Sequence, residues 1–161
     1  MAGFSGLGCH LGNLSRLSAA KTRSISPENF TGARGEGGKA TTGTGAGPGR
    51  DLGQGWKISP SVEIAPGETI ALAEIEGPGA IQQIWCVVDD TPWRSLILRF
   101  YWDGQERPSV ECPLGDFFAN GWGDYAQVTS LAVCVNPGRA FNCYWEMPFR
   151  RSARITLEKP P

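Results

Sequence analysis

The chain has 161 residues and a formal net charge of -1 at pH 7, with acidic and basic residues interspersed. That length suits one domain whose core needs no metal or disulfide, and the balanced charge leaves no basic stripe for nucleic acid. No apolar run approaches the roughly 18 residues of a membrane span, and the N-terminus shows no basic start followed by an apolar stretch, so no secretory signal is read and a cytoplasmic location is expected.

Residues 10–24 carry Leu11, Leu14 and Leu17 at spacings of three, which predicts a short amphipathic helix with its apolar face docked, Asn13 serving as a cap. Residues 25–55 read as a loop or arm: ten of the 22 glycines fall between Gly32 and Gly55. Two nucleotide-binding patterns fail there. The phosphate loop would need glycine at Ala33 and a hydroxyl at Ala40 around Gly38-Lys39. The Gly43–Gly47 run has neither an apolar strand before it nor a helix after it.

From Trp56 the pattern changes to short β-type runs, which divides the chain into a helix-and-arm region, 1–55, and a β-domain, 56–161. Strands are expected near 56–64, 68–76, 79–89, 94–103, 108–112, 127–135, 139–147 and 152–158, with turns at Pro66-Gly67, Gly77-Pro78-Gly79, Asp103-Gly104 and Asn136-Pro137-Gly138. Three core faces follow from alternation: Leu96, Leu98, Phe100 and Trp102; Leu131, Val133 and Val135; Phe141, Cys143, Trp145 and Met147. Arg99, Asn142 and Glu146 alternate with them and are expected on polar faces, while Ile97 and Tyr101 opposite the first core set suggest a sheet covered on both sides. Eight short strands with no helix between them indicate an all-β jelly-roll sandwich. Cys9, Cys86, Cys112, Cys134 and Cys143 form no CxxC pair, and their odd number and wide spacing suit free thiols, with a bridge between two strands as the alternative.

Three colinear stretches carry a family resemblance: LGNLSRLSAAKTRSISPENFTGARGEGGKA at 11–40, GWKISPSVEIAPGETIALAEIEGPGAIQQIW at 55–85, and the stretch from Arg94 to Glu158 that contains PLGDFF followed by GWG. They resemble the family once called domain of unknown function 2961, now glycoside hydrolase family 172. The resemblance implies two jelly rolls in a longer chain, activity on furanosides such as α-fructofuranosides or arabinofuranosides with a retaining pair of glutamates, and oligomers built from trimers. It places both glutamates in the later part of the family chain, and no position here matches them. The expectation is a partial member whose catalytic residues are unassigned, not competent alone and partnered by a homo-oligomer or a separate C-terminal half. A stand-alone carbohydrate-binding or assembly module is the alternative.

Retaining hydrolysis needs two carboxyl groups roughly 5–5.5 Å apart, which sequence cannot display. Asp116 stands at a predicted strand end before Phe117-Phe118, where sites commonly sit. Asp124 lies in the glycine-flanked GWGDY loop with Trp122 and Tyr125, close to Asn120. Aromatic faces stack on sugar C–H surfaces while carboxylates and amides bind hydroxyls, so Asp116, Asn120, Trp122 and Asp124 are the substrate-binding candidates, with Glu28 of SISPENFTG as a fifth. Asp116 could equally hold a loop through backbone N–H groups, and Glu28 could close a turn. His10 is the only histidine, which leaves no histidine metal triad. Asp89-Asp90 reads as a turn and a weak calcium signal. No cofactor or metal is expected.

Overall fold

The computed structural model describes residues 4–89 and 92–161. The chain is mostly antiparallel β-structure with a few short helices. A one-turn helix α1 (Ala46–Gly49) precedes strands β1 (Glu68–Glu76), β2 (Gly79–Ile81), β3 (Ile84–Cys86), β4 (Ile97–Trp102) and β5 (Val110–Pro113). Helix α2 (Leu114–Phe117) follows, then β6 (Val128–Thr129), β7 (Val133–Val135), β8 (Phe141–Cys143), β9 (Met147–Phe149) and β10 (Ser152–Lys159). One four-stranded sheet runs β1-β10-β4-β5 and a second β3-β8-β7-β6, while β2 pairs with β9.

The two larger sheets share one core. Leu98, Phe100, Ile155 and Leu157 from the first pack with Val133, Val135, Phe141 and Cys143 from the second, joined by Trp93, Leu114 and Phe118. Alternation places Leu98 and Phe100 inside, and Leu96 joins them from just before β4; all three are essentially unexposed. On the other side of β4, Arg99 is half-buried between Glu111 and Glu158, both of which accept from its guanidinium, and Arg154 lies 4.0 Å over the Tyr101 ring. Ile97 and Tyr101 are half-buried.

Several expectations are corrected. The segment 10–24 is not a helix. A single 3-10 turn spans Leu11–Asn13, capped by His10, and Asn13 returns the bond by accepting from the His10 N–H at 2.9 Å. Leu11, Leu14 and Leu17 are 91%, 67% and 93% exposed, so the turn supports no docked apolar face. Three leucines and one turn cannot offset the cost of nucleating a helix without a partner surface.

The stretch 56–64 forms no strand. Its backbone turns to the arm instead: Gly45 N–H donates to Ile58 O at 2.9 Å. A Cβ at Gly43 would stand 2.7 Å from Ile58 O, and one at Gly49 would stand 2.6 Å from Ile58 Cδ1. The glycines of the arm are thus sites of close approach, with Ile58 buried beneath them.

Three longer runs each split into two strands, 79–89 into β2 and β3, 127–135 into β6 and β7, and 139–147 into β8 and β9. Leu131 leaves the core because Ser130 folds the β6–β7 turn, its Oγ accepting from Val133 N–H at 2.9 Å and donating to Val133 O at 2.8 Å. The leucine at the tip is 97% exposed. After Cys143 the chain bends as Tyr144 N–H and Trp145 Nε1 both reach Ala132 O, at 2.9 and 3.0 Å. Trp145 therefore lies at the core margin, 40% exposed and stacked on Phe117 at 5.2 Å. Asn142, expected on a solvated face, is buried, with its amide nitrogen donating to Ala140 O at 3.2 Å. Glu146 is half-buried; its carboxylate accepts from Gly8 N–H at 2.8 and 3.0 Å and from Gln82 Nε2 at 3.1 Å. All five cysteines are free thiols, with Cys9 exposed and Cys143 fully buried.

Candidate functional site

The turn after β5 gathers the best-defined polar cluster. Leu114 N–H donates to Leu96 O at 2.8 Å, which ties the start of α2 to the segment entering β4. Just before β4, a 3-10 turn over Trp93–Ser95 buries Trp93 edge-on against Phe141, ring centroids 5.0 Å apart. Gly115 makes the closeness of turn and helix possible: a Cβ there would lie 2.8 Å from Asn120 O and 3.0 Å from Trp93 Cβ. With Trp93 lodged against Gly115, its neighbour Arg94 meets the neighbouring Asp116.

Arg94 Nη2 donates to Asp116 Oδ2 at 3.1 Å, and its Nε lies 3.0 Å from Oδ1. The second contact is an ion pair without hydrogen-bond alignment, so the buried Oδ1 accepts no hydrogen bond. Gly121 lies over this oxygen: a Cβ on it would stand 3.3 Å away. The Cys112 thiol is pushed up by burial and then by the negative charge of Asp116.

Asn120 is wholly buried and anchors the loop that follows. Its N–H donates to Gly115 O at 2.7 Å, its Oδ1 accepts from Ala126 N–H at 3.0 Å, and its Nδ2 donates to Phe118 O at 3.4 Å. Ala119 takes φ 60° to make the reversal. The loop 121–125 is therefore pinched shut at its base and displays its side chains outward. Trp122 is 85% exposed and Tyr125 45% exposed. Asp124 is exposed and makes no hydrogen bond or ion pair with another described residue. Phe118 is fully buried, and Phe117 stacks between Phe100 and Trp145 at 5.1 and 5.2 Å.

Of the five substrate-binding candidates, Asp116, Asn120, Trp122 and Asp124 thus share one helix and its succeeding loop. Glu28 is engaged in the arm: its Oε1 accepts from Ser59 N–H, and its buried Oε2 accepts nothing. Arg94 was not legible as a partner, because it stands 22 residues from Asp116 and no local pattern links them. Asp90 and Thr91 lie outside the described residues. Among those described, no group of three or more histidine, cysteine, aspartate or glutamate side chains could hold a metal.

A family model described as GH172 domain-like matches residues 57–160. The chain belongs to this GH172 family. The match begins one residue beyond Trp56, where the β-pattern starts, and it takes in β1 to β10, α2 and the displayed loop. Nothing among curated proteins matches the chain. The family's name refers to glycoside hydrolases, whose substrates are carbohydrates, and the GH172 match includes every candidate above except Glu28.

Proposed function

We propose that this GH172 domain recognises furanoside sugars through Asp116 and the loop 121–125, as the sugar-binding part of a glycoside hydrolase acting on α-fructofuranosides or arabinofuranosides. One observation carries the reading. A part-exposed carboxylate, that of Asp116, lies beside a loop whose base is fixed by Asn120 and whose tip exposes an indole. Sugar recognition needs an acceptor for hydroxyls and an apolar ring for the C–H face. The part-exposed Asp116 carboxylate and the exposed Asp124 supply the first, and Trp122 supplies the second. Asn120 acts as a positioning residue, its polar atoms being spent on the loop. Two four-stranded sheets around one core support a jelly-roll reading of the fold.

In this reading the domain does not carry the chemistry alone. Retention needs a nucleophile and an acid/base at about 5–5.5 Å, and Asp116 is occupied by Arg94 while Asp124 stands without a partner to tune it. The acid pair comes from another part of the assembly, a C-terminal half or a second copy. The second reading, a carbohydrate-binding module with no part in hydrolysis, is favoured by the 85% exposure of Trp122.

The test is hydrolysis of aryl α-arabinofuranoside and α-fructofuranoside by the purified chain, with tryptophan fluorescence read during titration with the same sugars. The proposal expects saturable quenching, lost in Trp122→Ala, with no turnover. Turnover abolished by Asp116→Asn would place an acid pair in this domain and overturn its non-catalytic role. Absence of any saturable change would overturn the recognition role itself.

A further inference from the structure

A cavity of about 270 Å³ opens in the arm, away from the loop that displays Trp122; its lining includes Thr22, Arg23, Ser24, Arg34, Gly35 and Gly37. The chain shapes it with turns. Ser26 and Asn29 pair through their backbones at 2.8 and 3.2 Å. Asn29 Nδ2 then donates to Ala33 O at 2.9 Å, which draws the loop back on itself. Gly32 and Gly35 take φ of 63° and 77°. A Cβ at Gly32 would come within 3.0 Å of Ile25 Cγ1, so the position requires glycine for space as well as conformation.

The chemistry of the lining is one-sided. It holds two guanidinium groups and no carboxylate or aromatic ring. Arg23 Nη1 reaches only the neighbouring Thr22 O, at 2.8 Å, and neither arginine forms an ion pair with another described residue. The N–H groups of Gly35 and Gly37 donate to no described residue. The acids nearest in sequence are committed, Glu28 to Ser59 N–H and Glu36 to Lys39 Nζ at 2.8 Å. From Lys21 to Lys39 there are four cations against two carboxylates.

We infer that this cavity binds a tetrahedral oxyanion, the phosphate or sulfate group of a small ester. Guanidinium forks and unpaired backbone N–H groups in a tight turn are the donors such a group needs. A neutral sugar is a poor occupant, because the lining offers no aromatic ring face and leaves two guanidinium charges uncompensated. The volume is just under the roughly 300 Å³ at which pockets begin to enclose a whole organic ligand, so the charged group enters and the remainder of the ester projects outward. This site is independent of furanoside recognition at Trp122, and its ligand is distinguished by charge.

The experiment is titration of the ¹⁵N-labelled chain at constant pH and low ionic strength with inorganic phosphate, with sulfate and glucuronate as parallel arms. The expected result is saturable movement of the Gly35 and Gly37 amide signals with phosphate and sulfate. Affinity should fall about tenfold in Arg34→Ala and by a similar factor in Arg23→Ala, and less in Arg34→Lys, which keeps the charge but loses the fork. Both arginines are exposed, so the unchanged remainder of the spectrum reports that the variants fold. Non-saturating shifts, or shifts equal in the Arg23→Ala/Arg34→Ala double variant, would refute the site. Saturation by glucuronate alone would refute the tetrahedral assignment. Neutral furanosides are expected to leave the Gly35 and Gly37 signals in place, whatever they do at Trp122.

Discussion

Arg94 and Asp116 are joined by two contacts, Nη2 to Oδ2 at 3.1 Å and Nε to Oδ1 at 3.0 Å, and only the first is aligned as a hydrogen bond. The pair couples the 3-10 turn before β4 to helix α2, and it leaves one buried carboxylate oxygen without a donor. Its side chains are 55% and 30% exposed, which decides its energetic weight: exposed pairs contribute about 0–1 kcal/mol. Arg94→Ala is therefore expected to change stability by less than about 1 kcal/mol in urea unfolding, while freeing Asp116 and shifting the Gly121 amide signal. An unmoved Gly121 signal would show that the pair does not set the carboxylate beneath that loop.

Gly115 carries a larger penalty. A methyl group there meets Asn120 O at 2.8 Å and Trp93 Cβ at 3.0 Å, the first a backbone oxygen and the second the root of a buried side chain. Gly115→Ala is expected to cost about 1–3 kcal/mol by overpacking, with loss of the Asn120 to Gly115 bond seen in amide exchange. A variant as stable as the parent would mean that the turn and helix are less closely seated than described.

Asp103 sets an acid-side dependence. Its Oδ1 accepts from Arg151 N–H at 2.7 Å, Arg150 N–H at 2.9 Å and Ser152 N–H at 3.3 Å, closing the turn between β9 and β10. The Arg151 N–H, with Ser152 and Arg150 behind it, holds the carboxyl below its ordinary value of 3.8. A depressed folded value stabilises above the unfolded value and is lost as pH falls through the folded one. Thermal stability should decline as pH drops below 3.8, and Asp103→Asn should lower the neutral-pH melting temperature and flatten that decline. An Asn variant with the same acid limb would assign the dependence to other carboxylates.

The cysteines should react in order of exposure. Cys9 is exposed, whereas burial, with Cys143 beside it, pushes the Cys86 thiol up to about 12. The thiolate is the reactive form, so a maleimide at pH 7 is expected to label Cys9 first and Cys86 and Cys143 only on unfolding. A raised thiol value stabilises below the unfolded value of 9.0 and is lost as pH climbs toward 12; alkaline unfolding should accordingly move to higher pH in Cys86→Ala, provided packing is retained. Rapid native labelling of Cys86, read by peptide mass, would contradict the buried placement.

Legibility followed periodicity. The 68–76, 94–103 and 152–158 runs were readable because their strands pair along most of their length, and Leu98, Phe100, Ile155 and Leu157 alternate inward as a pleat requires. The 127–135 and 139–147 runs failed at their middles, where Ser130 and the double donation to Ala132 O turn the backbone between apolar residues that look continuous, and the 79–89 run breaks at Gln82-Gln83 between β2 and β3. Leu131 and Trp145 were assigned inward by count alone. The 10–24 helix failed for a different reason: leucine spacing reports a face but not a surface to receive it.

The sequence by itself determined the β-rich class, the change of character at Trp56 and the motifs PLGDFF and GWG that carry the family resemblance, because these depend on composition, alternation and local chemistry. Only the tertiary structure decided that Arg94 faces Asp116, that Asn120 is an internal anchor rather than an exposed amide, and that Arg23 and Arg34 line one cavity. Each of those relations joins residues brought together by close backbone approach at glycine or by a turn held with side-chain hydrogen bonds, and neither leaves a periodic trace along the chain.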